Sequence, residues 1–539
     1  MFDPLAFKQH FPVFQQACNQ RLIYLDNAAT TQRPQALLKA TQDFYLNANA
    51  NAHRGSHRLA RSATDILERC RLRVADFINA CAEECIFTQG ATSAMNTVAN
   101  AVCKDLQPGD EIILSVLEHH ANLVPWMMQA EEKNLTIRFL PINENGLNID
   151  ALSDMLNERT KVVSLSAASN VLGCLTDVAR VKDLLSGGPW IWGFDCAQYA
   201  AHAKLDVVSL GCDFVAFSAH KLYGPTGVGI LWAKRARLNR WAPLIGGGEM
   251  ISEVTLSGAK FREAPGRFEA GTDNLAGIAG FSAVLEFLNG CDLQAMHRYE
   301  ADLARYAIEQ FDLIPELKLI STRNNNIGVM AYVPSSDSGF GVSDIVNWLD
   351  ESDIAVRAGQ MCAQPLADAI GHSAFIRFSV AAYNTREDID NTLVALQELF
   401  SGAKQRETMT AEAVFADLMA EKNWQSRYRQ IMALGDQIKP NGAIRVDENI
   451  VPGCEAKVWL QHREEGGRYW FELDSEARLM RGLSVILLSL VDGRRREEIN
   501  EDEIHQRLNA LGLQKHLTHS RVNGFNAILK RILAAFDAR

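Results

Sequence analysis

The segment AFSAHKLYGPTGVG, residues 216–229, places a lysine directly behind a run of apolar residues. The aromatic and β-branched residues Phe214, Val215 and Phe217 predict a buried strand, so we expect Lys221 at the end of that strand. A buried amine is either half of a structural ion pair or an amine that is uncharged often enough to form a Schiff base. The residues that accompany it decide between these two hypotheses.

Pyridoxal phosphate is a cofactor whose requirements match the residues near such a lysine. It needs an amine for its aldehyde, an acid beside the ring nitrogen, a flat group over the ring and donors for the phosphate. In FDCAQ, Asp195 follows an apolar strand and could hold the proton of the ring nitrogen, while Gln198 could bond the ring hydroxyl. In LEHHAN, His119 or His120 follows the strand EIILSV, where an imidazole could stack on the ring.

A candidate phosphate site lies in FTQGATSAMN, which indicates a strand, a turn at Gly90, Ala91 and Thr92, and then a helix. The free N–H groups of such a helix start, together with the Thr92 hydroxyl, can bind an anion. Ser218 and His220, beside the lysine, could add donors from the other side. Each feature alone also fits an ordinary helix cap. Their joint presence favours the cofactor hypothesis.

The length of the chain predicts more than one compact domain, because 539 residues are too many for one ordinary hydrophobic core. Short apolar runs up to about residue 232 alternate with helix-like segments, which is typical of an α/β fold with a large, mainly parallel sheet. A smaller α+β region and a third, C-terminal α+β unit follow. We predict a large domain at about 21–272, a small domain at 1–20 plus 273–400, a linker at 401–409 and a C-terminal domain at 410–539.

Composition excludes several other classes of protein. The net charge is −11 and no basic tract is present, which argues against direct nucleic-acid binding. The longest apolar run, Leu483 to Val491, is far below the roughly 20 residues that span a bilayer, and the N-terminus has no export signal, so we expect a cytoplasmic protein. The eleven cysteines have irregular spacing, so we predict neither a disulfide framework nor a metal site.

Residues 1 to about 400 resemble a known family, in order and over nearly the whole segment. The stretches include YLDNAATTQRP, HRGSHRLA, GATSAMN, EHHANLVPW, SNVLG, DCAQ, FSAHKLYGPTGVGILW, RFEAGTDN, VRAGQMCAQP and RFSVAAYNT. They are similar to cysteine desulfurases of the SufS and CsdA group, which have the fold-type I architecture of aminotransferases that depend on pyridoxal phosphate. The resemblance therefore implies this fold, this cofactor and L-cysteine as the substrate.

The resemblance also implies roles for individual residues. Lys221 would be the Schiff-base lysine, His119 the stacking residue and acid/base helper, and Arg377 the ligand of the substrate carboxylate. The remaining implied contacts are Asp195 and Gln198 at the ring, Asn170 near the ring hydroxyl and the substrate, Ala91, Thr92, Ser218 and His220 at the phosphate, and Thr272 at the phosphate of the other subunit of a homodimer.

Two cysteines suggest a path for sulfur. Cys362 lies in the loop VRAGQMCAQP, where a cysteine is commonly inert, but beside a pyridoxal site its thiolate could take sulfur from the substrate and leave alanine. Residues 409 to 539 resemble the SufE and CsdE sulfur acceptors in NWQSRY, PGCEAKVW, MRGLSVILL and HLTHSRVNGF. That resemblance implies Cys454 as the accepting cysteine and Arg521 as a basic group near it, which would favour the thiolate.

These observations predict a cysteine desulfurase that forms a persulfide on Cys362 and passes the sulfur to Cys454. A downstream partner, either an iron–sulfur scaffold or a tRNA-modification enzyme, would receive it. Transfer within one chain and transfer across the dimer both remain open. A selenocysteine lyase is an alternative that shares the fold and most of these residues, and a non-catalytic scaffold with a protein-binding tail is an alternative of another class.

Overall fold

A computed structural model describes residues 2–53, 55–335, 338, 340–401, 411–421, 423–435, 438, 444–453, 456–513, 516–517 and 519–537. The chain forms two compact units. The first unit contains residues 1–313, 319–332 and 354–390, and the second contains residues 314–318, 333–353 and 391–539. This division differs from the domains predicted above, because residues 333–353 group with the C-terminal region. The predicted linker at 401–409 lies, apart from Ser401, outside the described residues, and the domain boundaries stay a prediction.

The first unit carries most of the helices and strands. Up to the end of the large sheet they are α1 (Pro4–Lys8), β1 (Ile23–Tyr24), α2 (Gln35–Asn47), α3 (Arg58–Ile78), β2 (Cys85–Thr88), α4 (Ala91–Cys103), β3 (Glu111–Ser115), α5 (Val124–Lys133), β4 (Thr136–Leu140), β5 (Ile142–Asn143), β6 (Gly146–Leu147), α6 (Asp150–Met155), β7 (Thr160–Ser166), α7 (Val178–Leu185), β8 (Ile191–Asp195), α8 (Tyr199–His202), α9 (Val207–Leu210), β9 (Phe214–Ser218) and β10 (Gly229–Ala233).

The remaining elements of the chain follow in order. They are α10 (Arg235–Leu238), β11 (Ile251–Thr255), β12 (Gly258–Phe261), α11 (Leu275–Asn289), α12 (Leu293–Phe311), β13 (Leu317–Leu319), β14 (Val329–Pro334), α13 (Val342–Glu351), β15 (Ile354–Ala355), β16 (Arg357–Gly359), α14 (Gln364–Ala369), β17 (Phe375–Ser379), α15 (Arg386–Ser401), α16 (Ala411–Ala420), α17 (Trp424–Leu434), β18 (Val458–Glu465), β19 (Arg468–Ser475), α18 (Arg478–Val491), α19 (Glu501–Ala510) and α20 (His519–Asp537).

The large sheet of the first unit has seven strands in the order β2-β10-β9-β8-β7-β3-β4. Strands β9, β8, β7, β3 and β4 are parallel, and β10 runs antiparallel to both β9 and β2. The carboxyl ends of the parallel strands therefore share one edge, which is where ligands bind in open α/β sheets. The predicted mainly parallel sheet is confirmed.

Alternate residues of each strand pack on opposite faces of this sheet, as the two-residue period of a strand requires. In β9, Phe214 and Ala216 pack in a cluster on the face of α4, whereas Val215 and Phe217 pack in the cluster on the other face. All four are fully buried. A strand that is apolar on both faces is typical of a parallel sheet covered by helices on both sides.

Shorter sheets complete the first unit. β1 pairs in parallel with β15, and β17 pairs antiparallel with both β14 and β16, so that Arg357 on β16 lies opposite Arg377 on β17. β11 and β12 form an exposed hairpin. These short strands matter for the site because β16 and β17 carry its arginines.

The second unit contains the C-terminal hairpin and helices that the sequence predicts. β18 and β19 pair over their full length around Gly466 and Gly467, whose φ values of 61° and 74° are those of a type I′ turn. The buried helix α18 packs against α17 and β19. Across the described ranges, no helix combines the length and the apolar character that crossing a bilayer requires.

Candidate active site

A cavity of about 310 Å³ lies at the carboxyl edge of the parallel strands. It brings together most of the residues that the sequence singled out. The predicted residues that line it are Ala91, Thr92, His119, Asn170, Asp195, Gln198, Ser218, His220, Lys221, Cys362 and Arg377.

Lys221 ends a short 3-10 turn that begins directly after β9, as the sequence predicts. The hydroxyls of Thr30 and Thr31 donate to the carbonyl oxygen of His220 and hold this turn. Burial lowers the pKa of Lys221 to about 8, although the Asp195 carboxylate raises it. The amine is therefore uncharged far more often near neutral pH than an ordinary lysine, which favours its use as a nucleophile.

Asp195 and Gln198 lie at the end of β8, on the neighbouring strand. The Asp195 carboxylate accepts a hydrogen bond from the N–H of Ala197 at 2.8 Å, and burial raises its pKa. The side-chain amide of Gln198 donates to the carbonyl oxygen of Ala28 at 2.8 Å, so its own oxygen stays available as an acceptor. Both side chains are fixed before any ligand arrives.

His119 lies in the turn after β3 and is the one of the two neighbouring histidines that lines the cavity. Its Nδ1 accepts a hydrogen bond from the N–H of Ala121 at 3.0 Å, so in the neutral ring the proton is on Nε2. Burial, with the positive charge of Lys221, lowers the pKa of His119 to about 3. The ring is therefore neutral at physiological pH.

The start of helix α4 faces the same cavity through Ala91 and Thr92. The N–H of Ala91 donates to the hydroxyl of Ser218 at 2.8 Å, which joins the helix start to the end of β9. A Cβ on Gly229 would meet the Cα of Gly90 at 2.4 Å, so β10 can approach this turn only without a side chain at that position. The arrangement is that of an anion site at a helix N-terminus.

Two arginines and an aspartate form an ion-pair group at one wall. Asp26 accepts from Arg357 Nη2 at 2.8 Å and from Arg377 Nη2 at 3.1 Å. Arg377 Nη1 donates to the carbonyl oxygen of Asn170 at 3.1 Å, while its buried Nε has no hydrogen-bond partner among the described residues. Arg377 lines the cavity, and a guanidinium with five N–H donors is suited to a carboxylate ligand.

Cys362 lies in the loop before α14, exposed and within the cavity lining. Met361 and Cys362 both have positive φ, 56° and 55°, which is uncommon for residues other than glycine. The loop is held by a hydrogen bond from the N–H of His120 to the Cys362 carbonyl oxygen at 2.8 Å and by one from the Asn170 amide to the Met361 carbonyl oxygen at 2.8 Å. These bonds keep the thiol at the mouth of the site.

Thr272 is not among the described residues that line this cavity. It is exposed and lies at a second cavity of about 420 Å³, together with Phe87, Thr88 and Asp273. A residue expected to serve the phosphate of another subunit should lie away from the site of its own chain. Its contact with a partner chain stays a prediction.

Arg521 lies in the second unit, on α20, and is 8% exposed. It lines a small pocket with Ser343, Ala456, Ala477, Met480, Ser520 and Gly524. Arg521 Nη2 donates to the carbonyl oxygen of Ser343 at 3.4 Å. The predicted acceptor Cys454 lies outside the described residues, so its distance from Arg521 stays untested.

Comparisons with known proteins agree with this geometry. Residues 23–392 match the aminotransferase class-V family. A cysteine desulfurase of Serratia proteamaculans is 40% identical over 397 residues, which cover 73% of this chain and 97% of that protein. The chain belongs to the cysteine desulfurase family. In addition, residues 412–536 match SufE, the Fe-S metabolism associated domain.

Solved cysteine desulfurases share the fold. The structure of CsdA from Escherichia coli, with an S-sulfonic acid, has a TM-score of 0.69 and 38% identity, and the match covers 74% of this chain and 98% of that one. The apo structure of a cysteine desulfurase from Thermococcus onnurineus NA1 has a TM-score of 0.70 and 32% identity, over 75% of this chain and 99% of that one.

This cysteine desulfurase family depends on pyridoxal phosphate, and the residues of the cavity fit that cofactor. Lys221 offers a nucleophilic amine for which the described residues provide no hydrogen bond or ion pair. Asp195 and His119 offer a buried acid and a neutral ring, and Thr92 at the start of α4 and the Ser218 hydroxyl offer donors for an anion. Each requirement of the cofactor therefore has a residue in one cavity.

Sequence reasoning missed several residues of the site. Arg357 and Asp26 lie within the quoted stretches VRAGQMCAQP and YLDNAATTQRP, but nothing in their spacing shows that they meet across 331 residues of chain. His120 holds the Cys362 loop, a contact that no local pattern indicates. Nothing in the sequence distinguishes Glu118, because a carboxylate beside two histidines has the same appearance whether it is solvated or buried.

Proposed function

We propose that this chain converts L-cysteine to L-alanine on pyridoxal phosphate bound at Lys221, with the sulfur captured as a persulfide on Cys362. The observation that carries the proposal is that Lys221, Cys362 and Arg377 line one cavity. A lysine alone would fit many enzymes that use this cofactor. A thiol and a carboxylate-binding guanidinium beside it fit an amino acid whose sulfur is to be removed.

Each residue has a role that follows from its chemistry. Pyridoxal phosphate, when bound, supplies the electron sink that labilises bonds at the α- and β-carbons of the substrate. Asp195 would hold the proton on the ring nitrogen, Gln198 and Asn170 would bond the ring hydroxyl side, and neutral His119 would stack on the ring and carry protons. Ala91, Thr92, Ser218 and His220 would bind the phosphate.

Arg377 would bind the substrate carboxylate with guanidinium N–H groups that its bonds to Asp26 and Asn170 leave unused. Asp26 would hold the guanidinium in place while the carboxylate binds. The Cys362 thiolate would then attack the substrate sulfur, forming the S–S bond as the C–S bond breaks. The overall exchange is cysteine plus a thiol to alanine plus a persulfide, which is balanced without an external oxidant.

The SufE domain would receive this sulfur. We propose a thiol exchange in which the Cys362 persulfide passes its outer sulfur to Cys454, with Arg521 favouring the Cys454 thiolate. Fusion of the two domains replaces an encounter between two proteins with an effective concentration on the order of millimolar for a flexible tether. Whether the exchange uses one chain or two is left to experiment.

The biological setting belongs to the same proposal. We propose a cytoplasmic homodimer in which Thr272 of each subunit serves the phosphate of the other, and a downstream protein that takes sulfur from Cys454. The recipient would be an iron–sulfur scaffold or a tRNA-modification enzyme. Capture of a mixed disulfide at Cys454, followed by mass spectrometry, would identify it.

The direct test follows sulfur and alanine in the full-length holoenzyme. We expect alanine to form in step with persulfide on the Cys362 peptide, and Cys362→Ala to retain the cofactor but form no persulfide on that loop. Cys81→Ala is the matched control, because Cys81 is also exposed in the first unit and should behave as the parent protein. Cys454→Ala should leave slow alanine formation with sulfur halted on Cys362.

Several outcomes would contradict the proposal. Persulfide that forms normally in Cys362→Ala would remove Cys362 from the reaction. Cofactor binding without any alanine from cysteine would favour a non-catalytic scaffold. A much larger yield from selenocysteine than from cysteine, measured as selenide and sulfide beside alanine, would favour a selenocysteine lyase instead.

A further inference from the structure

Glu118 is a buried carboxylate bonded to Ser166, a residue of the cavity lining, and the reaction described above does not use it. It is 1% exposed. One of its oxygens accepts from the hydroxyl of Ser115 at 2.5 Å and from the N–H of Ser166 at 3.0 Å. The other accepts from the amide of Asn122 and from the hydroxyl of Ser166, both at 2.6 Å. Among the described residues, no cation pairs with it.

These four hydrogen bonds join three separate pieces of the site. Ser115 is the last residue of β3 and Ser166 is the last residue of β7, the adjacent strand. Asn122 ends the turn of residues 118–122, and its side-chain oxygen accepts in turn from Trp126 at 3.0 Å and Ser164 at 2.6 Å. The carboxylate therefore sets the position of the 118–122 turn on the edge of the sheet.

The 118–122 turn carries two residues with different tasks. His119 faces the cavity, where the ring of the cofactor would lie. His120 holds the Cys362 loop, since its N–H donates to the Cys362 carbonyl oxygen and its Nε2 accepts from the N–H of Gln364 at 3.3 Å. A shift of this turn would therefore move the stacking ring and the nucleophile loop together.

Ser166 extends the same connection to a third part of the site. It lines the cavity, and its backbone lies opposite Asp195 in the pairing of β7 with β8. The next residue, Ala167, donates its N–H to the Asp195 carbonyl oxygen at 2.9 Å. Ser166 and Asp195 together form one side of the cavity, the Asp195 wall. Two of the four bonds to Glu118 come from Ser166, so the same carboxylate also fixes this wall.

We propose that Glu118 is a positioning residue that fixes the ring-stacking His119, the Asp195 wall and the Cys362 loop in one arrangement. This inference rests on the proposed function for its kinetic consequence, but its structural consequence can be measured without turnover. A misplacement of reacting groups of about 1 Å can lower a rate by about 100-fold. Positioning residues behind a site are commonly worth about 10- to 100-fold.

Glu118→Gln is the most informative variant because it conserves size. Whichever way the new amide is oriented, its NH₂ group meets a fixed donor, either the N–H of Ser166 or the amide of Asn122. One hydrogen bond is therefore lost and a donor–donor contact is created. Burial raises the pKa of Glu118 to about 7, although the hydrogen bonds from Ser115, Ser166 and Asn122 lower it, so assays at about pH 8 keep it mostly ionised.

A matched control exists in the same sheet. Asp213 is also a buried carboxylate, 5% exposed, but it lies at the opposite edge, before β9, where it accepts from the N–H of Trp192 and from Lys234 and Arg237. Asp213→Asn should lower the thermal midpoint as Glu118→Gln does and leave the site unchanged. Ser115→Ala is a milder second variant, because it keeps the carboxylate and removes one donor away from the cavity.

The experiment compares the full-length holoenzymes in three measurements: the visible absorbance of the bound cofactor, the alkylation rate of Cys362 without substrate, and kcat and KM for cysteine. The exposed thiols of Cys18 and Cys81 are internal references for alkylation. For Glu118→Gln we expect a shifted cofactor spectrum and alkylation of Cys362 about 5-fold faster. We also expect kcat lower by about 10- to 100-fold with KM changed by less than about 3-fold, because Arg377 is untouched.

The same changes in Ser115→Ala, but smaller, would support the inference further. A Glu118→Gln protein with the parent's spectrum and Cys362 alkylation rate, and with only the stability loss of Asp213→Asn, would overturn it. If Glu118→Gln does not fold, Ser115→Ala decides by the same measurements. Absence of alanine from the parent enzyme would instead contradict the proposed function. The cofactor spectrum and the alkylation rate of Cys362 would still test whether Glu118 is a positioning residue.

Discussion

Lys221 in the first unit and Arg478 in the second are both cations removed from bulk water, but the protein treats them differently. Arg478 is 2% exposed, its Nε donates to the Met432 carbonyl oxygen at 3.1 Å, and its guanidinium lies 4.1 Å from the centre of the Phe340 ring. Its backbone N–H donates to the buried Asp344 carboxylate at 2.8 Å. These contacts of Arg478 stabilise the packing of the second unit.

Lys221 has no comparable partners within the described part of the chain. Its amine faces the cavity, and burial lowers its pKa. Lys221 is half-buried, so its amine borders the cavity rather than closely packed side chains. Arg478 has protein partners for its donors and stabilises the fold. Lys221 has no such partner among the described residues and borders a cavity, so its amine is available for chemistry. The comparison shows that burial alone does not indicate function.

The largest effect should come from Lys221→Ala. Because no other described amine lines the cavity, we expect alanine formation to fall by at least about 10³- to 10⁴-fold and the visible absorbance of bound cofactor to change. Quantitative alanine analysis and an absorbance spectrum measure both. Lys204→Ala, which removes an exposed lysine of the same unit, is the control. Alanine production retained in Lys221→Ala would show that Lys221, like Arg478, has no part in the chemistry.

The converse prediction concerns Arg478→Ala. We expect the free energy of unfolding of the second unit to fall by about 3 kcal/mol, because the contact with Phe340 is lost and the Met432 carbonyl oxygen is left buried without this donor. The cofactor spectrum should not change. Denaturant titration with hydrogen exchange across α18 and β19 measures the loss.

The control for Arg478 is Arg507→Ala. Arg507 is exposed on α19 and pairs with Glu503, so its removal should change stability by less than about 0.5 kcal/mol. An altered cofactor spectrum in Arg478→Ala, or stability equal to that of Arg507→Ala, would show that Arg478 is not the structural cation that its contacts indicate.

The sequence predicted those features that depend on local pattern. The strand before Lys221, the helix after Thr92 and the hairpin at Gly466 and Gly467 follow from apolar period and turn residues, and the structure confirms them. The family resemblance brought distant residues such as Arg377 into the same prediction. Each of these signals is contained in a short stretch of chain or in a match to known stretches.

The sequence could not reveal which polar groups satisfy one another. The contact of Asp26 with Arg377 joins residues 351 apart, and the network around Glu118 joins the ends of β3 and β7. A carboxylate looks the same in sequence whether it is solvated or accepts four hydrogen bonds. The grouping of residues 333–353 with the C-terminal region in one compact unit likewise depends on tertiary packing, which no local pattern shows.

Arg377→Lys tests a guanidinium that combines both behaviours, because two of its nitrogens bond Asn170 and Asp26 while the side chain also lines the cavity. A lysine keeps the charge but cannot hold Asp26 and Asn170 and also offer a donor to the substrate. We expect KM for cysteine to rise by about 10- to 30-fold with cofactor affinity unchanged. Arg323→Lys, at an exposed arginine paired with Asp312, should leave KM at the parent value. Equal KM values in the two variants would exclude Arg377 from carboxylate binding.

The smallest effect, and the sharpest distinction between the two cations, is in the pH dependence of stability. Burial lowers the pKa of Lys221 from its ordinary value of 10.5 to about 8, so the folded chain without cofactor disfavours the charged amine. Its contribution to stability is therefore present above about pH 10.5 and is lost as the pH falls to about 8. We expect a loss of about 1.5 kcal/mol, roughly half of what such a pKa change corresponds to, because the amine faces an open cavity.

Lys221→Met isolates this contribution, because all other groups that titrate in the same range are common to both proteins. The stability difference between the cofactor-free parent and Lys221→Met, from denaturant titrations at several pH values, should change over this window. Arg478→Met should show a constant difference from the parent, since a guanidinium does not titrate there. A constant difference for Lys221→Met as well would mean that the amine is charged and paired in the folded chain, as Arg478 is.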